Sequence, residues 1–106
     1  MNIQKMMKQA QEMQNKMTAL QAKIEQEETD GAAGGGAVKL RINGKGSLLK
    51  IDLDPSLLKV EEKEMLEDLI IAAFADAKKK ADESAAGQMG QVTAGLNLPP
   101  GMKLPF

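Results

Sequence analysis

Cysteine, histidine, tryptophan and tyrosine are all missing from this sequence, and Phe74 and Phe106 are its only aromatic residues. Without thiols or imidazoles there are no disulfides, no thiolate or imidazole catalysis, and none of the commonest transition-metal ligands. No apolar run approaches the roughly 20 residues that span a bilayer, and the polar, glutamine-rich opening lacks the apolar core of a signal peptide. The expectation is a soluble, cytoplasmic protein with no membrane partner. No serine stands in a nucleophile motif and no acid pair stands out for general acid–base work, so neither an enzyme nor a small-molecule substrate is expected. Cofactors are not expected either. Asp52 and Asp54, beside Pro55, lack a third ligand and any EF-hand spacing, which reads as turn and solvent-face residues rather than a metal site.

The chain has 106 residues, enough for one domain over 1–106 but small enough that the fraction of surface it buries is modest, so oligomerisation is a natural supplement. Its net charge of −1 hides a segregation along the sequence. Residues 1–24 carry Lys5, Lys8, Lys16 and Lys23 against Glu12, whereas Glu25, Glu27, Glu28 and Asp30 follow directly. Lys39, Arg41, Lys45 and Lys50 then form an acid-free block, and Glu61, Glu62, Glu64, Glu67 and Asp68 crowd the segment after it.

Ile3, Met6, Ala10, Met13, Met17, Leu20 and Ile24 alternate at steps of three and four, the seam of a heptad repeat, and predict a long helix over 1–30. At 1.5 Å per residue it would reach roughly 40 Å, so part of it must project or pair. "GAAGGGA", residues 31–37, reads as a flexible connector without the spacing of a phosphate loop. Residues 38–60 read as a β region, a small hairpin or three-stranded antiparallel sheet. Val38, Leu40 and Ile42 share one face, Asn43-Gly44 supplies a type I′ turn, and Leu49, Ile51 and Leu53 resume the apolar alternation. "SLLKV" adds a short strand or a turn. A second long helix is predicted over 61–86, with acids first and Lys78, Lys79 and Lys80 later, the order its dipole favours. In that helix Leu66, Leu69, Ile70, Ala73 and Ala77 share one face while Ile71 and Ala75 lie nearly opposite. One small sheet cannot cover both sides, and a second copy of the chain is the simplest cover for the other. Gly87 and the prolines beyond it predict an extended Gly/Pro-rich tail over 87–106, either mobile or laid across apolar surface.

The blocks "MMKQAQEMQNKM", "VKLRINGKG", "IDLDPSLL", "KEMLEDLIIAAFADA" and "TAGLNLPPGMKLPF", in this order over nearly the whole chain, resemble the YbaB/EbfC family of bacterial nucleoid-associated proteins. The resemblance implies an α+β protomer, a homodimer joined through the central sheet region, and helices projecting like tweezers onto double-stranded DNA. It makes Val38, Leu40, Ile42, Ile71 and Ala75 the expected dimer interface and Lys5, Lys8, Lys78, Lys79 and Lys80 the expected DNA-binding residues. Where relatives carry arginines this chain has "KKK", and lysine offers a point charge without the bidentate fork of arginine, which suits phosphate neutralisation more than base reading. The alternative function is a protein-interaction adaptor that recruits its partner through the heptad helix or the apolar tail.

Overall fold

The computed structural model describes residues 2–94. Helix α1 (Ile3–Gln26) begins where the Asn2 side chain accepts a hydrogen bond from the Lys5 N–H at 3.2 Å, satisfying one of the donors a helix start leaves free. It ends earlier than the seam predicts. Glu27 turns extended, and strand β1 (Glu28–Ala33) takes the residues assigned to the helix end and to the first half of the glycine connector. A short left-handed turn, Gly34–Gly36, with φ of 64°, 68° and 98°, leads into β2 (Val38–Asn43), and β3 (Leu48–Leu53) follows. The three strands form one antiparallel sheet in the order β1-β2-β3. Two 3-10 turns, Pro55–Leu57 and Val60–Glu62, lead into α2 (Lys63–Ala94). Asp54 starts the first of them by accepting from the Ser56 N–H at 2.9 Å.

α2 lies over β1 and β2 and closes the core on Val38, Leu40, Ile42, Leu57, Ala73 and Ala77, with Leu66, Leu69 and Ile70 packed at its margin. The contact depends on small residues. A Cβ at Gly31 would overlap the Ala73 carbonyl oxygen and meet the Ala77 nitrogen at 2.6 Å, so helix and strand backbones touch where glycine and alanine oppose one another. β3 extends past the helix, and Leu48, Leu49 and Ile51 remain open; of the expected alternation Leu49, Ile51 and Leu53, only Leu53 packs against the core. A bulge at Leu49, where Arg41 pairs with Lys50 but Ile42 pairs with Leu48, breaks that alternation as well.

Two further expectations are corrected. The turn after β2 is a three-residue loop in which Asn43 N–H bonds Ser47 O at 3.0 Å and the positive φ falls on Gly46, not Gly44. Gly44 is needed for another reason: its N–H reaches Glu25 O at 3.2 Å, and a Cβ there would strike the Ile24 carbonyl and lie 2.6 Å from its carbon. α2 also runs through Gly87 and Gly90 to Ala94, so 87–94 is helix, and the rest of the expected tail, 95–106, lies outside the described residues. Each glycine costs a helix about 1 kcal/mol relative to alanine, which packing offsets easily. Here Ala81, Ala85, Gln88, Met89 and Val92 form a half-buried stripe, and Gln88 Nε2 donates to Glu27 Oε2 at 2.8 Å.

α1 and the end of α2 therefore run antiparallel as an arm beyond the sheet. Placing α1 end to end with the part of α2 before Gln88 gives roughly 74 Å at 1.5 Å per residue, and the molecule measures 72 Å along its long axis.

Candidate nucleic-acid interface

Charge follows this elongated shape. Lys5, Lys8 and Lys16 are exposed on α1 and make no ion pair among the described residues, while Lys23 stands 3.9 Å from Glu27 at the arm's base. The acids Glu61, Glu62, Glu64, Glu67 and Asp68 gather at the opposite end, where α2 begins, with Lys63 3.5 Å from Glu67. The long axis thus runs from a basic tip to an acidic base.

The lysine triplet is less uniform than its sequence. It lies in the middle of α2 rather than at its end, and successive residues point about 100° apart. Lys78 is paired with Asp82 at 2.6 Å and Lys80 with Asp76 at 2.9 Å; Lys79, between them, makes no ion pair among the described residues. Asp76 Oδ2 also accepts the Ala32 N–H at 3.0 Å, so Asp76 covers a donor on the outer edge of β1. The Lys80 ammonium and then the Ala32 N–H hold its carboxyl below the usual carboxylate range.

The expected sites are not brought together within one protomer. Lys79 and Lys5 lie on opposite sides of the Glu27–Gln88 contact, roughly 46 Å apart along the arm at 1.5 Å per residue. Lys16, which the sequence reading left out of the site, lies between them; its signal was membership of the lysine-rich block 1–24, where Glu12 is the only acid.

The face of the sheet opposite α2 carries Asp30, Arg41 and Lys50 in one cross-strand row and Ala32, Lys39 and Asp52 in the next. They line a shallow groove of about 250 Å³ together with Lys80. Arg41 is committed inside the sheet: it donates to both Asp30 oxygens, at 2.7 and 3.3 Å, and lies 3.7 Å from Glu28. The guanidinium holds the Asp30 carboxyl below its ordinary range.

Of the residues expected to meet a second copy, Val38, Leu40 and Ile42 are buried beneath the chain's own α2. Ile71 is 68% exposed, and Ala75 is open beside it. Asp76 and Phe74 lie on opposite flanks of α2; since Asp76 reaches β1, Phe74, 37% exposed, flanks β3. Ile71 and Phe74 thus belong to the same side of the protomer as the uncovered Leu48, Leu49 and Ile51.

Residues 1–96 match the model of the YbaB/EbfC DNA-binding family. The chain is 55% identical over 105 residues to a nucleoid-associated protein of Granulibacter bethesdensis, covering 99% of this chain and 98% of that one. It is 51% identical over 105 residues to a nucleoid-associated protein of Agrobacterium fabrum, with the same coverage of both. Its fold matches the crystal structure of an uncharacterized protein from Helicobacter pylori with a TM-score of 0.72 at 25% identity, over 88% of this chain and 98% of that one. A helical arm, a three-stranded sheet and a second long helix, matched over nearly their whole length by family and relatives alike, place this chain in the YbaB/EbfC DNA-binding family.

Proposed function

We propose that the chain binds double-stranded DNA as a homodimer, mainly through phosphate contacts, and in doing so organises nucleoid DNA or modulates its transcription. The nucleoid-associated relatives support the location, and no helix among the described residues is long and apolar enough to cross a membrane. The observation that carries the phosphate reading is the separation of charge: Lys5, Lys8 and Lys16 project on α1 without acid partners among the described residues, while the acids collect where α2 begins. Phosphate neutralisation needs positive charge on an accessible surface, and the local field matters more than the net charge of −1.

The homodimer reading rests on the β3 side. β1 is one edge of the sheet, and Asp76 covers one of its donors; β3 is the other edge. Leu48, Leu49, Ile51, Ile71 and Phe74 leave an apolar surface beside β3. A twofold contact there reuses one patch on both copies and doubles every lysine. Lys79 then adds an unpaired cation nearer the dimer centre, with Lys78 and Lys80 exchanging their carboxylate partners for phosphate.

The exposed seam of α1, with Ile3 and Met6, keeps the adaptor as a second reading. One experiment separates the two: titration with a mixed-sequence duplex at low and at moderate salt. Tight binding that falls with salt supports the DNA reading; no binding at low salt overturns it.

A further inference from the structure

We propose that the groove on the sheet face opposite α2 binds a small phosphate monoester carrying hydroxyl groups, of the sugar phosphate class, between Lys39 and Lys50. The groove exists because β1 is slight at this point. Gly31 and Ala32 give it a low floor beside Leu40, and longer side chains from β2 and β3 rise around them. Lys80 reaches the rim from α2, round the edge of β1, where Asp76 Oδ2 accepts both the Lys80 ammonium at 2.9 Å and the Ala32 N–H at 3.0 Å. The Arg41 guanidinium above all, and Lys50 and Lys80 with it, lower the Asp30 carboxyl, so three cations bear on one point of the groove.

The charges select the ligand. Arg41 is held by Asp30 and Lys80 by Asp76. Lys39 and Lys50 make no ion pair among the described residues, although Asp52 stands directly opposite Lys39 across the strands. The Lys39 stem lies against the glycine turn instead: its Cε is 3.2 Å from where a Cβ on Gly36 would stand, so the missing side chain makes room for it. Two ammonium groups without carboxylate partners on one concave surface attract an anion. They are point charges and the guanidinium is already taken, which suits phosphate more than a carboxylate, whose two oxygens match an arginine fork. Asp52 only accepts hydrogen bonds, so it calls for donors on the ligand, and hydroxyl groups supply them. The groove, about 250 Å³, falls just below the roughly 300 Å³ at which ligand pockets begin, which limits the ligand to a small one. No aromatic side chain is among the described residues that line it, so a nucleobase would have nothing to stack on. A sugar phosphate meets each of these conditions. This proposal does not depend on DNA binding or on the dimer.

Titration of the 15N-labelled full chain with ribose 5-phosphate, at constant ionic strength, tests it. The amide signals of Ala32, Lys39, Arg41 and Lys50 should shift saturably at millimolar concentration, while those of Lys5 and Lys8 stay in place. Inorganic phosphate should bind severalfold more weakly, and ribose not at all. Lys39→Gln with Lys50→Gln should weaken ribose 5-phosphate binding by about tenfold or more, with the circular dichroism spectrum unchanged. Asp52→Ala removes a negative charge and an acceptor together, so it should tighten inorganic phosphate and erase the preference for ribose 5-phosphate. The absence of any saturable shift in the groove overturns the proposal. So does equal binding of ribose 5-phosphate, inorganic phosphate and sulfate, since the groove would then hold an adventitious ion only. A preference that survives in Asp52→Ala overturns the assignment to a hydroxylated ligand. Equal shifts of the groove amides by a mixed-sequence duplex at matched phosphate concentration overturn the assignment to a small molecule.

Discussion

The two long helices use their apolar residues in opposite ways. α1 has the cleaner stripe, yet none of its residues is buried in the protomer. α2 is apolar on several sides and, among the described residues, supplies two fully enclosed ones, both alanines. A regular stripe shows that a helix face has some apolar partner, not that the partner is the sheet beside it. α2 closes the core because Gly31, Ala73 and Ala77 let the backbones meet, and its larger residues are left for the margin and the outside.

The sharpest way to break that comparison is to enlarge the glycines on which each helix is seated. Gly31→Val drives a side chain into the α2 backbone and should destabilise the protomer by about 3 kcal/mol or more, at the upper end of overpacking effects. Gly44→Val drives one into Ile24 at the base of α1. It should destabilise less, because it displaces an arm that no buried core residue holds. Urea unfolding followed by circular dichroism measures both. A larger loss from Gly44→Val would mean that α1 contributes more to the fold than its burial indicates.

The next effect distinguishes the outside of α2 from its inside. Ile71→Asp alters a residue that is mostly exposed in the protomer and should leave its helical content unchanged. In a dimer it would bury an unpaired carboxylate, a cost of several kcal/mol. Sedimentation at micromolar concentration should show a dimer for the parent and a folded monomer for the variant. A variant that stays dimeric would move the interface away from this flank.

These elements were unevenly legible in the sequence. β2 was plain because Val38, Leu40 and Ile42 alternate with Lys39, Arg41 and Asn43 under a helix that covers one face. β1 was not, because "ETDGAA" has one β-branched residue and no alternation; it is a strand through its pairing with β2 and through the room Gly31 makes for α2. The end of α2 was missed because glycine was given its intrinsic weight, while the packing partner came from residues some sixty positions earlier, in the Glu27–Gln88 contact. The candidate site shows the same limit. Which residues are lysines is local information, but the pairing of Lys78 and Lys80 and the distance from Lys79 to Lys5 depend on how the helices are arranged.

DNA binding should separate the helices again, with a smaller effect per residue. Lys5→Glu with Lys8→Glu on the arm should weaken binding to all duplexes alike and reduce the slope of log affinity against log salt by roughly 0.9 for each lysine that meets a phosphate. In α2, Lys79→Glu should do more than Lys78→Glu or Lys80→Glu, since among the described residues Lys78 and Lys80 are paired with carboxylates and Lys79 is not. Lys39→Glu with Lys50→Glu, on the sheet, serves as the comparison and should matter less. If one duplex lies along the arm, affinity should rise with its length to roughly 14 base pairs, the span from Lys79 to Lys5 at 3.4 Å per step. Equal losses from arm and sheet would indicate a diffuse charge effect, and an unchanged salt slope in the arm variant would remove Lys5 and Lys8 from the site.

The smallest effect lies where α2 meets the edge of β1. Asp76 is held as a carboxylate by Lys80 and by the Ala32 N–H, so its pKa is lower in the folded chain than in the unfolded one. A group with a depressed folded pKa contributes stability above its unfolded value, near 3.9 for Asp, and loses that contribution as pH falls through the folded pKa. The Asp30 and Asp54 carboxyls are shifted in the same direction, by Arg41 and by the hydrogen bonds to Ser56, so the parent chain should become steadily less stable on acidification below about pH 4. Asp76→Asn keeps an oxygen that can accept from Ala32 but removes the charge facing Lys80. The variant should be slightly less stable than the parent at pH 7, and the gap should narrow as pH falls below the unfolded value and through the lowered folded pKa of Asp76. Thermal unfolding of both chains at pH 7, 4 and 2.5 tests this. A gap that stays constant with pH would mean that Asp76 acts on the β1 edge through shape and hydrogen bonding alone, with no contribution from its charge.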